Sequence, residues 1–175
     1  HPESSAYFSH LDCCGAHLIG GNLGDRLAFG SNKAAAICAA LGMTSQVNME
    51  PGTVFADRVA FIKPLWDSLG QLSGRIVRYH NPAYAPTRAI ACEAPDLFPG
   101  LWQTDTGKAL LLVTNLNPQN QTGTVQLNLK ELGLSKKARI EPLAIKGLHR
   151  EVQVQGDRVT VDRLPGYQYT ALHIG

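Results

Sequence analysis

Residues 101–129, LWQTDTGKALLLVTNLNPQNQTGTVQLNL, decide the fold class. Trp102 and Thr104 lead into Asp105-Thr106-Gly107, a tight turn with the glycine where a positive φ is easiest. Residues 109–116 follow as a near-continuous apolar run, the pattern of a strand covered on both faces. Residues 117–122 are a polar connection containing Pro118. Beyond it Val125, Leu127 and Leu129 alternate with Thr124, Gln126 and Asn128, the period of two that marks a half-buried strand. The stretch predicts an antiparallel pair whose central strand runs through Leu110, Leu112 and Thr114.

Outward from this pair the same grammar continues to the end of the chain. Residues 130–133 read as a single helical turn. Short strands are expected over 139–145, 150–154, 158–161 and 167–174, broken by Gly147, by Gln155-Gly156-Asp157 and by Leu164-Pro165-Gly166. Just upstream, residues 88–93 alternate weakly as a strand. Turns at this spacing belong to an antiparallel sandwich, which assigns residues 88–175 to a C-terminal β-sandwich domain. Residues 75–87 contain YHNPAYAP, whose two prolines favour extended backbone, and are read as a connector.

The first 74 residues are written differently. Residues 7–11 read as a short strand ending near His10, Asp12 and the Cys13-Cys14 pair. The glycine-rich loop that follows has no GxGxxG spacing and lacks the P-loop lysine, so close packing explains it better than phosphate binding. Ser31 or Asn32 caps a helix through residues 33–41, with Gly42 as its stop. Residues 46–49 form a brief strand closed by Glu50-Pro51-Gly52. Thr53 caps a second helix, in which Phe55, Val59, Ile62, Trp66 and Leu69 recur at spacings of three and four. Pro64 falls inside that pattern and predicts a kink or two shorter helices, and Gly70 and Gly74 mark the end. Strand and helix in alternation imply parallel βα units. Two such units leave unpaired edges, so another chain or upstream sequence is expected to complete them.

The totals exclude several classes. With 44% apolar and 17% charged residues in 175, the chain has the make-up of a soluble globular protein. Net charge is +2, without the basic stripe and interleaved aromatics of a nucleic-acid surface. The densest basic cluster, Lys136-Lys137-Arg139, reads as a solvated face. No apolar run approaches the roughly 20 residues a membrane span needs. Cys13, Cys14, Cys38 and Cys92 have no CxxC spacing, and the vicinal pair suits ordinary bridges poorly. Buried free thiols are the expectation, which favours a reducing, cytoplasmic setting. Asn120-Gln121-Thr122 is a glycosylation sequon that has meaning only in a secreted chain. The chain begins at His1 without an initiator methionine, so a processed product or a piece of something longer is expected.

The order of parts resembles the C-terminal end of a glycoside hydrolase. In many families of these enzymes a (β/α)8 barrel precedes a small antiparallel sandwich. Residues 7–73 resemble the last two βα units of such a barrel, and residues 88–175 the sandwich. The tail VQGDRVTVDRLPGYQYTALHI is similar to the closing strands of these domains. The fold class this implies is α/β followed by all-β: an incomplete (β/α)8 barrel plus a β-sandwich.

In a barrel, functional side chains sit at the C-terminal ends of the strands. His10, Asp12 and His17 follow the first strand, and Asn48 and Glu50 the second. Glycosidases use a pair of carboxyl groups, one as proton donor and one as nucleophile or base. The resemblance therefore makes Asp12 and Glu50 the catalytic candidates, with His10, His17 and Asn48 as ligands of sugar hydroxyls. Plainer readings stand beside these: Asp12 as the cap of a turn, and Glu50 before Pro51 as the cap of a loop. His10, Cys13, Cys14 and His17 match no standard zinc spacing, so no metal is expected, and no cofactor. An N-terminal histidine can chelate copper in polysaccharide monooxygenases. The 7% aromatic content, the βα front half and the vicinal cysteines argue against that class. Two functions result. One is the terminal part of a carbohydrate-active hydrolase, whose partners are a carbohydrate substrate and the remaining N-terminal barrel portion. The other is a non-catalytic sandwich module for binding or assembly.

Overall fold

Strand β4 (Ala109–Asn115) has all seven residues buried, the apolar run of residues 109–113 together with the polar Thr114 and Asn115. The computed structural model describes residues 36, 40, 63–64, 67–82 and 86–175. Around β4 stand β1 (Ile76–His80), β2 (Ile90–Cys92), β3 (Leu97–Thr104), β5 (Gln121–Leu127), β6 (Ile140–Pro142), β7 (Val152–Gln155), β8 (Arg158–Leu164) and β9 (Tyr169–Ile174). They form a five-stranded sheet, β1-β3-β4-β9-β6, and a four-stranded sheet, β2-β5-β8-β7. Each strand pair among the described residues is antiparallel.

The turn at residues 105–107 behaves as the sequence predicts. Gly107 takes a positive φ of 79°, and its amide donates to the Thr104 carbonyl at 3.2 Å. The predicted pairing of β4 with β5 is corrected: β4 lies between β3 and β9, while β5 belongs to the other sheet. The polar connection after β4 is therefore a crossover between layers. Buried Asn115 fixes it, donating through Nδ2 to the carbonyls of Gln119 and Leu164, both at 2.8 Å, and accepting the Asn117 amide at Oδ1. Alternation along β5 holds as read, with Val125 and Leu127 buried and Thr124 exposed.

A second correction concerns residues 75–87. Residues 76–80 are the edge strand β1, with Tyr79 opposite Trp102 and His80 opposite Leu101 on β3. A register shift between Ile76 and Arg78 breaks the period of two, which is why the segment does not read as a strand. Of residues 1–74, those described at 36, 40, 63–64 and 67–69 are helical, at positions of the two predicted helices. The strands expected over 7–11 and 46–49 lie outside the described residues, so the barrel units are not among the elements seen.

Two apolar clusters flank the five-stranded sheet. Between the sheets pack Leu101, Leu111, Val113, Leu172 and Ile174 against Ile90, Val125, Leu127, Val159 and Val161. On the opposite face lie Trp102, Leu110, Leu112, Leu148, Tyr169 and Ala171, covered in part by Leu143 and Ile145 and by Leu69 and Leu72. Register explains the division: odd-numbered β4 residues meet Leu101 and Leu172, while even-numbered ones meet Trp102 and Ala171.

Candidate functional site

His10, Asp12, His17, Asn48 and Glu50 lie outside the described residues, as do Cys13 and Cys14. The structure does not bring them together or hold them apart. What it does describe is a polar joint where the front part of the chain meets the sandwich.

The joint is built on the outward-facing side of β1. The Ala40 carbonyl, in the helix that the sequence ends at Gly42, accepts two side-chain donors. Asn81 Nδ2 donates to it at 2.5 Å and the Tyr79 hydroxyl at 3.4 Å. Asn81 Nδ2 also donates to Tyr79 Oη at 3.1 Å, closing a triangle. Two side chains beside β3 thus hydrogen-bond a helical carbonyl of the preceding chain. Asn81 is 1% exposed, a depth at which an amide must be satisfied. Tyr79 also packs on Trp102, with ring centroids 4.9 Å apart and planes at 45°. Gly100 makes room for that ring, since a β-carbon there would collide with Tyr79 Oη. At 5% exposure Trp102 is a packing residue of this face rather than a ring open to a sugar.

On the inner side of the same strand, His80 sits between two neutral partners. Its Nε2 is 3.4 Å from Gln103 Oε1, and its Nδ1 is 3.4 Å from Thr87 Oγ1. Gln103 Nε2 donates to the Leu132 carbonyl, so its Oε1 faces the ring as an acceptor and places a proton on Nε2. The Ala89 amide donates to Thr87 Oγ1 at 3.0 Å, leaving the hydroxyl proton for Nδ1. Burial pulls the His80 pKa below its ordinary value, against the Gln103 hydrogen bond, which raises it. Neither Tyr79, His80 nor Asn81 stands out in the sequence, because the prolines around them mark the segment as a connector.

Five carboxylates of the sandwich have partners close at hand. Asp96 accepts from Asn117, Asp105 from the Arg75 amide, and Asp162 from Thr122. Glu151 pairs with Arg163 and Glu141 with Arg139, in exposed bridges of small energetic worth. Among the described residues no three His, Cys, Asp or Glu side chains are grouped to hold a metal. Cys92 is a free thiol whose pKa burial pushes up, which makes it a poor nucleophile.

No protein-family model matches the chain, and no curated protein matches it in sequence. Among solved structures, α-galactosidase I from Mortierella vinacea superposes with a TM-score of 0.43 at 10% identity. The match covers 90% of this chain, which spans 38% of that enzyme. At that score the likeness carries no weight for fold or chemistry. The described residues themselves make a two-layer antiparallel sandwich with one outer face joined to the preceding chain.

Proposed function

We propose that this chain is the C-terminal part of a carbohydrate-active hydrolase, in which the sandwich packs on a (β/α)8 barrel and stabilises it. The observation that supports this reading is the joint. The outer face of the five-stranded sheet is apolar, and it receives Leu69, Leu72 and the capped carbonyl of Ala40 from the front part of the chain. A sandwich used in this way is a brace for another layer. In the same reading Glu50 and Asp12 are the carboxyl pair at the barrel mouth, and His10, His17 and Asn48 bind sugar hydroxyls. The substrate is a carbohydrate, and the partner is the N-terminal portion of the barrel.

A sugar-binding module would instead present aromatic rings to solvent. Trp102 and Tyr169 are buried, Tyr79, Phe98 and Tyr167 are half-buried, and no described aromatic side chain is exposed. The test is turnover of aryl glycosides by the intact parent enzyme. Glu50→Gln keeps shape and removes charge, and is expected to lower turnover by about 10²-fold or more with folding unchanged. Unchanged turnover removes Glu50 from the catalytic pair. A parent without activity on any glycoside in the panel removes the hydrolase reading.

A further inference from the structure

β1 is an edge strand with work on both sides. Outward, Tyr79 and the adjacent Asn81 cap the Ala40 carbonyl. Inward, His80 links three separate segments: Thr87 in the approach to β2, Gln103 on β3, and, through Gln103, the Leu132 carbonyl in the turn after β5. We propose that His80 is a proton-operated catch, which holds β1 in place while neutral and loosens the strand, with the Tyr79–Asn81 joint, when the ring becomes an imidazolium.

The geometry defines the two states. Neutral His80 donates from Nε2 to Gln103 and accepts at Nδ1 from Thr87, and the chain of donors and acceptors is complete from the Ala89 amide to the Leu132 carbonyl. A second proton turns Nδ1 into a donor facing a hydroxyl that already accepts the Ala89 amide, so that hydroxyl must find another acceptor. It also places a cation in a half-buried site. Arg78 on β1 opposes that cation and Glu131 in the turn after β5 favours it, with Gln103 and Thr87 neutral. Burial outweighs the favourable contributions, so the folded state binds this proton less readily than the unfolded chain. The contribution to stability is complete above the ordinary histidine value of about 6.5 and is lost as pH falls through the lower folded value. Its effect falls on an edge strand that already carries a register shift and, among the described residues, pairs with β3 alone, which leaves it easier to open than the central β4.

The experiment uses the 175-residue chain and is independent of the hydrolase reading. Imidazole resonances and backbone amide exchange are followed between about pH 7.5 and about pH 5, with exchange corrected for its intrinsic pH dependence. The expected result is that His80 titrates below the ordinary value and that β1 amides lose protection in the same range, while those of β4 keep theirs. His80→Gln retains a neutral donor and acceptor, and is expected to remove the pH dependence of β1 while His149→Gln leaves it in place. A His80 that titrates at or above the ordinary value overturns the proposal. So does β1 protection that is flat with pH, or a pH dependence that survives in His80→Gln. If His80→Gln does not fold, the paired titration and exchange curves of the unaltered chain decide between these outcomes by themselves.

Discussion

The two sheets turn unlike outer faces to their surroundings. The four-stranded sheet presents Thr124 and Thr160 as a directly opposed pair with hydroxyls 3.0 Å apart. Gln126 accepts from Arg158, and Thr122 donates to Asp162. That face is finished in water: polar groups meet each other or solvent, and the apolar half of each strand points inward. The five-stranded sheet presents Trp102, Leu110, Leu112, Tyr169 and Ala171 outward, and needs cover. Some comes from Leu143, Ile145 and Leu148, which follow β6, and some from Leu69 and Leu72, which precede β1. One side of the sandwich is made for solvent, and the other for the rest of the protein.

The contrast is open to direct attack. Leu112→Ala, on the covered face, is expected to cost about 2–5 kcal/mol in urea unfolding of the chain, because a buried leucine leaves both lost transfer energy and a cavity. Thr124→Ala, on the solvent face, should cost less than about 1 kcal/mol, the worth of one cross-strand pair. Equal losses would mean that the two faces do not differ in the way described.

A smaller effect of opposite sign sharpens the comparison. Thr114 Oγ1 is buried on the covered side of β4 and has no hydrogen-bond partner among the described residues. An unmet hydroxyl there costs stability, whereas the same group on the solvent face would be hydrated. Thr114→Val keeps the shape and is expected to gain about 1 kcal/mol, or about 2–4 °C in Tm. A loss on this substitution would show that the hydroxyl is satisfied in solution.

How much of this was legible in the sequence depends on how local each signal is. β4 could be read from a near-continuous apolar run, and β5 from alternation, because each pattern reports only the burial of its own strand. The turn at Gly107 was legible through the positive φ it needs. Pairing was not, since Leu116 to Gln121 looks like a hairpin connection until Asn115 is seen anchoring it to the Leu164 carbonyl of another strand. β1 was missed because its register shift spoils the alternation and because Pro82 and Pro86 give the segment a connector's composition. The joint depends on Asn81 and Ala40, 41 residues apart, and no short-range pattern links them. The carboxylates Asp12 and Glu50 rest on the resemblance to barrel enzymes and lie outside the described residues.

The central claim is that the outer face of the five-stranded sheet is held by the preceding chain. Quenching of Trp102 fluorescence by acrylamide tests it most directly. Trp102 is the sole tryptophan of a chain beginning at residue 75, and becomes so in the whole chain with Trp66→Phe. With residues 1–74 present, Trp102 should be shielded, in keeping with its 5% exposure. Without them Leu69, Leu72 and the Ala40 cap are gone, and the same ring should quench readily and emit further to the red. Equal shielding of Trp102 in both chains would contradict the account.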